Sequence, residues 1–376
     1  MRIALLTDGI QPYVLGGMQK HSFFLAKYLA RQQVHVDLYH YTQEPVDDPL
    51  ACFESSERPY IQSVLLEFPS LDRLPGHYIR ESLQYSKIIA EELVKAEKPD
   101  FIYAKGFTAW HLLRENHLPA PVGVMFHGLE MFQKAFSIKS SLEQNMLKKP
   151  ALECMQKADI VFSYGGLITE LLLDLKIDRD KIIEAPSGVE GEWSRLDPLM
   201  INQPRKFIFT GRFEARKNIK QLYDVVSKLS GKEKFKIEFI GPIPDKNQID
   251  IPEASFLGKL DQEYIKTKLD ESDVLLCPSL SEGMPNVILE GMARGLAIIA
   301  TDVGAVGLMV DDSNGWLLQP NSVIQLENAM KEAIHLNDQE LLKKKENSLK
   351  RITTEFQWEQ IIIDLLENIR KVKTHG

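Results

Sequence analysis

Two glutamates, Glu282 and Glu290, have the residue type and the setting to bind sugar hydroxyls. A carboxylate can accept two hydrogen bonds from a vicinal diol, so each of them could hold one polyol. Between them, the free amides around Asn286 and Val287 would open a predicted helix, and the first amides of a helix bind anions such as a diphosphate. Two polyol-binding carboxylates beside a phosphate seat suit a ligand that carries phosphates and two sugars. A sugar nucleotide is such a ligand.

The surrounding sequence predicts the elements that position this pair. The apolar run 274–277 predicts a buried strand. Pro285 favours the first turn of a helix, where its missing N–H is not needed, and Gly295 favours the far end of that helix. Glu282 would then lie in the loop before the helix and Glu290 on its second turn, facing the same cleft as the first helical amides.

A second group of residues brings positive charge to another strand end. A strand is predicted to end at Gly211, and Asn218 is a favourable N-cap for the next helix. Arg212, Arg216 and Lys217 therefore precede a helix N-terminus, where each positive charge costs about 0.3–1 kcal/mol. An anionic ligand would offset this cost. Solvation alone would explain Arg216, whereas it explains the other two cations poorly.

Two further sites are predicted in the first half of the chain. Gly16 and Gly17 follow the first predicted strand and open a helix, and adjacent glycines let backbone amides approach a phosphate closely. His127 ends a buried strand, at the sheet edge where catalytic groups of α/β proteins lie. No G-x-G-x-x-G fingerprint occurs in the sequence, which argues against an NAD-binding Rossmann domain.

With these residues in place, the chain resembles the retaining GT-B glycosyltransferases of the family 4 type, also described as glycosyl transferases group 1. Glu282 and Glu290 match the two glutamates of the family signature, and Arg212 and Lys217 match the two cations that grip the donor diphosphate. The resemblance covers nearly the whole chain and is strongest in residues 205–320. It implies transfer of a hexosyl group from a nucleotide sugar to a hydroxyl acceptor with retention of configuration.

The resemblance also implies a role for each matching residue. The implied catalytic residues are His127, Glu282, Lys217 and Arg212. The implied donor-binding residues are Gly16, Gly17, Arg212, Lys217, Gly258, Leu260, Glu282, Gly283, Met284, Asn286, Val287 and Glu290. Lys217 and Arg212 would stabilise the charge of the departing nucleotide, so we expect no metal and no cofactor beyond the nucleotide-sugar co-substrate. His127 would position and polarise the sugar without attacking it.

Several alternatives stay open at this point. The segment Gly258–Leu260 would contact the nucleotide base through its backbone, so UDP, GDP and ADP sugars all remain candidates. The acceptor could be a glycan, a polysaccharide, a lipid-linked saccharide or a small molecule. A nonhydrolysing sugar-nucleotide 2-epimerase uses the same scaffold without an acceptor, and a non-catalytic GT-B partner subunit is a third interpretation. Product analysis with donor alone separates the epimerase from the transferase.

Composition narrows the class of protein. The 376 residues suggest two domains of about 150 residues each. A net charge of −8 argues against a nucleic-acid partner. Three widely spaced cysteines form neither a disulfide framework nor a metal-ligand pattern. The first strand begins almost at Met1 and no apolar run is long enough to span a bilayer, so we expect a cytoplasmic protein.

Short apolar strands alternate with helical patterns, which is typical of parallel βαβ units. The predicted strands are Ile3–Leu6, Val34–Tyr39, Val64–Phe68, Phe101–Ala104, Val122–Phe126, Ile160–Ser163, Lys206–Thr210, Lys236–Ile240, Ser255–Leu257, Val274–Cys277 and Ala297–Ala300. We therefore expect an α/β protein of the GT-B class, with two Rossmann-like, doubly wound parallel sheets facing across a cleft. The acceptor-binding domain would comprise residues 1–196 with the helical segment 356–376 packed back on it. The nucleotide-sugar-binding domain would comprise residues 197–355.

Two remaining segments offer competing interpretations. Asp178-Arg179-Asp180 has the form of a D-x-D metal motif, but its place in a predicted turn before a strand favours solvated turn acids. The segment 132–149 mixes lysines with apolar residues, as do helices that rest on membranes in lipid-glycosylating family members. A solvated surface helix is favoured, and a peripheral position at the inner membrane face is the alternative.

Overall fold

The computed structural model describes residues 1–71, 76–116, 118–195 and 197–372. The strands are β1 (Arg2–Leu6), β2 (His35–His40), β3 (Ile61–Leu65), β4 (Phe101–Lys105), β5 (Val122–Met125), β6 (Ile160–Ser163), β7 (Ile182–Glu184), β8 (Arg205–Thr210), β9 (Phe235–Ile240), β10 (Ala254–Gly258), β11 (Val274–Cys277), β12 (Ala297–Thr301) and β13 (Gly315–Leu318). The α-helices are α1 (Gly17–Arg31), α2 (His77–Leu93), α3 (Trp110–Glu115), α4 (Ile138–Lys157), α5 (Leu167–Asp174), α6 (Ile219–Leu229), α7 (Gln262–Asp270), α8 (Asn286–Ala293), α9 (Val306–Met309), α10 (Val323–His335), α11 (Asp338–Glu355) and α12 (Trp358–Lys371).

The chain divides into two compact units. Unit 1 comprises Met1–Tyr164, Ile168–Pro186 and the described residues from Trp358 onward, and unit 2 comprises Gly165–Leu167 and Ser187–Gln357. The boundaries expected at 196/197 and 355/356 stay predictions. Leu196 and residues 373–376, which those boundaries include, lie outside the described residues.

Unit 1 is built on a parallel sheet of seven strands in the order β3-β2-β1-β4-β5-β6-β7. The central strands β1 and β4 are buried along nearly their whole length, as their continuous apolar sequences require. The strand order reverses between β1 and β4, which are hydrogen-bonded neighbours. In open α/β sheets, ligands bind outside the carboxyl ends of the strands at such a switch point.

Unit 2 repeats this arrangement with six parallel strands in the order β10-β9-β8-β11-β12-β13. Here the order reverses between β8 and β11, which pair from Phe207 with Val274 to Phe209 with Leu276. The carboxyl ends of β8 and β11 therefore form the switch point of unit 2. The prediction of two doubly wound parallel sheets is confirmed.

The last helix, α12, belongs to unit 1 and is held there by its apolar face. Trp358 is buried, and its ring stacks on Tyr28 of α1 with the ring centroids 5.9 Å apart. The other buried residues of α12 are Ile361, Ile362, Leu365, Leu366 and Ile369. Each large apolar side chain buried in this way contributes about 1.5–3 kcal/mol to stability.

Two features of the fold correct the sequence prediction. The strand expected at Val64–Phe68 occurs three residues earlier, as β3, because its hydrogen bonds to β2 pair Ile61 with Val36 and Leu65 with His40. The edge strand β13 was not predicted from its short sequence. Among the described residues, no helix is both long enough and apolar enough to cross a membrane.

Candidate active site

The switch point of unit 2 holds a carboxylate between two cations. Nζ of Lys217 lies 2.6 Å from Oε1 of Glu282, and Nη1 of Arg216 lies 3.2 Å from Oε2 of the same carboxylate. The side chains of Lys217 and Glu282 are only 13% and 9% exposed. Because both groups are largely removed from water, each depends on the other for charge compensation.

Local backbone structure places each member of this cluster. Lys217 closes a 3₁₀ turn, Ala215–Lys217, that follows the end of β8. Glu282 lies in the loop between β11 and α8. That loop packs closely against the backbone of Gly304. Only glycine fits there, because a Cβ atom would lie 2.3 Å from the carbonyl oxygens of Glu282 and Gly283. The amide of Ala305 then donates to the Gly283 carbonyl over 2.7 Å.

Arg216 and Arg212, the other two cations of this group, have different surroundings. Arg216, for which solvation alone was a sufficient explanation, contacts both Glu282 and Glu214, with its Nε atom 2.9 Å from Glu214 Oε2. Arg212 is 64% exposed and lies 3.6 Å from Glu214 Oε1. The structure therefore brings Lys217 and Arg216 to Glu282, and leaves Arg212 at the surface beside Glu214.

Asn218 takes the predicted N-cap position of α6, but without the usual capping geometry. It adopts a left-handed conformation, with φ of 55°, and its side chain makes no capping hydrogen bond. The side-chain nitrogen Nδ2 of Asn218 donates instead to Oε1 of Gln221. The 3₁₀ turn that carries Lys217 ends in this left-handed residue.

The start of α8 is where the sequence predicts that an anion binds. The helix begins at Asn286, so Pro285 precedes its first turn instead of lying within it, and Gly295 follows its end with φ of 73°. The amides of Asn286 and Val287 are the first two of the helix and have no partner in the preceding turn. Glu290 lies one turn further on and is half-buried.

Neighbouring residues of the predicted donor site are held by unit 2 itself. The Ser187 hydroxyl donates to Oδ1 of Asn286 over 3.4 Å, and the Ser187 amide donates to Met284 Sδ over 3.1 Å. Gly258 ends β10 with φ of 67°, and its carbonyl accepts from the Gly241 amide over 2.7 Å. Leu260, two residues after Gly258, is half-buried.

At the switch point of unit 1, a lysine and an aspartate occupy the ends of the two central strands. Lys105 is the last residue of β4 and is buried, and its Nζ atom lies 2.8 Å from Nδ1 of His21 and 3.1 Å from Met125 Sδ. Burial holds the pKa of Lys105 well below its usual range, against the attraction of Asp8. Burial also raises the pKa of Asp8 to about 6, although Gln19 donates to its carboxylate over 3.1 Å.

His127 lies in the same region of unit 1. The Tyr164 hydroxyl is 2.7 Å from His127 Nδ1, and the His21 ring meets the His127 ring edge-on with their centroids 5.6 Å apart. Burial, with a smaller effect of Lys105, lowers the pKa of His127 to about 3, while the Gly17 backbone acts in the opposite direction. His127 is therefore neutral at physiological pH and can orient a hydroxyl without carrying charge.

The structure brings the predicted residues Gly17 and His127 together. Gly16 precedes α1 as its N-cap residue.

Sequence reasoning missed four residues of this region: Asp8, His21, Lys105 and Tyr164. Asp8 follows β1 and Lys105 ends β4, so the strand-end rule that selected His127 could have found both. The contact of Lys105 with His21 joins residues 84 positions apart and has no local sequence signal.

The described residues contain no group of three or more His, Cys, Asp or Glu side chains that could hold a metal ion. Asp178 instead starts a 3₁₀ turn, where its side chain accepts from the Asp180 amide over 3.1 Å. This agrees with the interpretation of Asp178-Arg179-Asp180 as turn acids.

Two family models match the chain. The model described as Glycosyltransferase Family 4 matches residues 15–193, and the model described as Glycosyl transferases group 1 matches residues 204–335. A glycosyltransferase of Methanocaldococcus jannaschii is 25% identical over 373 residues, which cover 96% of this chain and 95% of the relative.

Solved structures share the fold over nearly the whole chain. Sucrose-phosphate synthase of Thermosynechococcus elongatus has a TM-score of 0.79 at 19% identity, and the match covers 98% of each chain. The trehalose-6-phosphate protein of Escherichia coli, bound with UDP-2-fluoro glucose, has a TM-score of 0.73 at 13% identity and covers 99% of this chain and 100% of its own. At these identities, the similarity establishes the fold alone.

The raised pKa of Asp8 predicts a pH-dependent cost in stability. Its carboxyl binds a proton more tightly in the folded chain, at a pKa of about 6, than at the ordinary value of 3.8. Its contribution to stability is therefore fully present below pH 3.8 and is lost as the pH rises through 6. Asp8→Asn removes the ionisation. We therefore expect the free energy of unfolding of the variant, relative to that of the wild type, to rise by about 1–3 kcal/mol as the pH increases from 4 to 7.

Urea unfolding at a series of pH values measures this difference. Asp364→Asn is a matched control, because exposed Asp364 also accepts a hydrogen bond from a glutamine amide, Gln360, over 2.8 Å. The control should follow the wild type at every pH. A difference for Asp8→Asn that does not change with pH would contradict the prediction.

Proposed function

The chain belongs to the family 4 type of GT-B glycosyltransferases, and we propose that it transfers a hexosyl group from a nucleotide sugar to a hydroxyl acceptor with retention of configuration. The observation that carries this proposal is the Glu282 carboxylate held between Lys217 and Arg216 at the switch point of unit 2. A diphosphate could bind the cations of this cluster, and the hydroxyls of a sugar could bind its carboxylate.

The donor is proposed to be a nucleotide sugar for reasons of charge and position. The first amides of α8 and the cations of the 215–217 turn both follow strand ends of the same switch point. Such amides and cations bind a diphosphate together. A protein with this fold is bound with UDP-2-fluoro glucose, which supports the same class of donor here. The base and the sugar stay open.

Donor binding would exchange the partners within the cluster. The diphosphate would draw Lys217 away from Glu282, and Arg212 would reach it from the surface. Glu282 would then be available to accept hydrogen bonds from the hydroxyls of the transferred sugar. Glu290 would hold the ribose, while Gly283, Met284 and the base-contacting segment Gly258–Leu260 would line the rest of the donor.

The chemical step would break the bond between the anomeric carbon and the diphosphate oxygen. The negative charge that develops on the diphosphate would be stabilised by Lys217 and Arg212 once donor binding has brought both cations to it. The acceptor oxygen would attack from the face that the diphosphate leaves, and its proton would pass to the departing phosphate oxygen. Neutral His127, beside Gly17, would orient the sugar.

We expect nucleotide binding to be independent of divalent metal, because the cations of unit 2 would neutralise the diphosphate. The affinity for UDP and GDP, measured by calorimetry, should be the same in EDTA and in Mg²⁺. An affinity that falls in EDTA and returns with Mg²⁺ would show that a metal supplies the missing charge.

Three substitutions should separate binding from turnover. Glu290→Gln should chiefly weaken donor binding, because the ribose contact would be equal in the ground and transition states. Glu282→Gln should lower the single-turnover rate more than nucleotide affinity. Lys217→Ala should lower that rate on the order of 10²–10³-fold, as for other preorganised charge-stabilising groups.

Nucleotide affinity and single-turnover rate are measured for each variant with the donor that gives the largest thermal shift. Glu346→Gln and Lys220→Ala, both exposed residues of unit 2, serve as matched controls and should behave as the wild type. Wild-type turnover in Glu282→Gln and Lys217→Ala would exclude this assignment of the site.

A further inference from the structure

Three cations follow β8, and the proposed transfer gives a role to only two of them. Lys217 and Arg212 would bind the diphosphate of the donor. Arg216 is 31% exposed, whereas Arg212 is 64% exposed, and Arg216 is the arginine whose guanidinium contacts Glu282. Holding a long arginine side chain beside a carboxylate costs side-chain entropy, so this position requires a physical explanation.

Lys217 and Arg216 bind different oxygen atoms of the same carboxylate. Nζ of Lys217 lies 2.6 Å from Oε1 of Glu282, whereas Nη1 of Arg216 lies 3.2 Å from Oε2. Since each cation has an oxygen atom of its own, either contact can break while the other remains. The proposed transfer includes such a change, because it draws Lys217 from Glu282 to the diphosphate of the donor.

The backbone of Arg216 connects its turn to the loop that carries Glu282. The amide of Leu280, two residues before Glu282, donates to the carbonyl of Arg216 over 2.7 Å. Arg216 therefore contacts this loop through its main chain and its side chain together. The four-carbon stem of Lys217 is flexible, so its ammonium group can move to another partner while the turn stays in place.

The guanidinium of Arg216 bridges two carboxylates. Its Nε atom lies 2.9 Å from Oε2 of Glu214, in addition to the contact of Nη1 with Glu282. A planar guanidinium has separate N–H groups for two such partners. The side chain of Glu214 is 33% exposed, so water screens much of its charge, whereas the side chain of Glu282 is 9% exposed. Of the two carboxylates, Glu282 depends more on the arginine for charge compensation.

We propose that Arg216 is a positioning residue, which keeps Glu282 balanced and in place while Lys217 moves to the diphosphate of the donor. This inference rests on the proposed function and assigns the third cation of the site. Without Arg216, Glu282 would retain Lys217, because a carboxylate removed from water needs an opposite charge beside it. The diphosphate would then compete with the carboxylate for Lys217. Arg216 therefore strengthens donor binding without contacting the donor.

A double-mutant cycle of Arg216 and Glu282 tests this role. The probe is whichever of UDP, GDP and ADP stabilises the wild type most, and its affinity is measured by calorimetry. Arg216→Gln should weaken probe binding by about tenfold or more, because Lys217 is then retained by Glu282. In the background of Glu282→Gln, the same substitution should have almost no effect, since the competing carboxylate is gone. Arg216→Lys keeps the positive charge and should recover most of the affinity.

Arg212→Gln is the matched comparison, because Arg212 follows the same strand but would contact the diphosphate itself. Its loss of affinity should be the same with and without the Glu282 carboxylate. Lys220→Gln changes an exposed cation at the start of α6 and should bind the probe as the wild type does. Arg216→Gln should fold, because Lys217 still balances Glu282 when no donor is bound, and its melting temperature checks this.

Three outcomes would overturn the proposed role of Arg216, and they bear differently on the proposed function. A loss of affinity in Arg216→Gln that persists in the Glu282→Gln background would show that Arg216 binds the diphosphate directly. Equal affinity of the wild type and Arg216→Gln would also exclude the role, while the transferase proposal would stand because the probe still binds. If no nucleoside diphosphate binds the wild type, the donor proposal fails, and the role of Arg216 fails with it.

Discussion

A carboxylate that is almost fully buried has to be balanced by positive charge, and the second half of this molecule is arranged around that requirement. Glu282 is balanced by Lys217 and Arg216, which reach it from a turn 65 positions earlier in the sequence. Removing one partner of a buried pair costs about 3–5 kcal/mol, because the other charge is left without compensation. The parallel order β8-β11 makes the contact possible, since it brings the carboxyl ends of both strands to the same edge. Gly304 then fixes the loop that carries the carboxylate.

Unit 1 uses its switch point differently. Its buried lysine, Lys105, contacts a histidine nitrogen and a thioether sulfur, and burial moves its pKa toward the neutral form. A lysine that donates to Nδ1 of His21 requires the His21 proton on Nε2, and this atom has no hydrogen-bond partner among the described residues. Asp8 is also shifted toward its neutral form. Groups that are costly to keep in a fold are concentrated where ligands bind in this class of sheet, as expected of sites selected for function.

Most of the fold could be predicted from the sequence because its signals are local. The predicted strands Val274–Cys277 and Ile160–Ser163 have the observed bounds. The offset of β3 could not be predicted, since its register depends on hydrogen bonds to β2, and the conformation of Asn218 depends on the turn before it. In the site, Glu282 and Lys217 were each predicted, but their direct contact was not. Arg216 was attributed to solvation and Lys105 was missed, because the role of a single cation depends on the residues packed around it.

The central claim is that Lys217 acts on the diphosphate of the donor, and the contribution of one phosphate tests it most directly. The measurement is the ratio of affinities for the diphosphate and the monophosphate of the same nucleoside, in the wild type and in Lys217→Ala. The nucleoside is the one whose diphosphate stabilises the wild type most. We predict that the wild type prefers the diphosphate by about tenfold or more, as one charged hydrogen bond would give. Lys217→Ala should lose most of this preference and keep its affinity for the monophosphate. A variant that retains the full preference for the diphosphate would contradict the account.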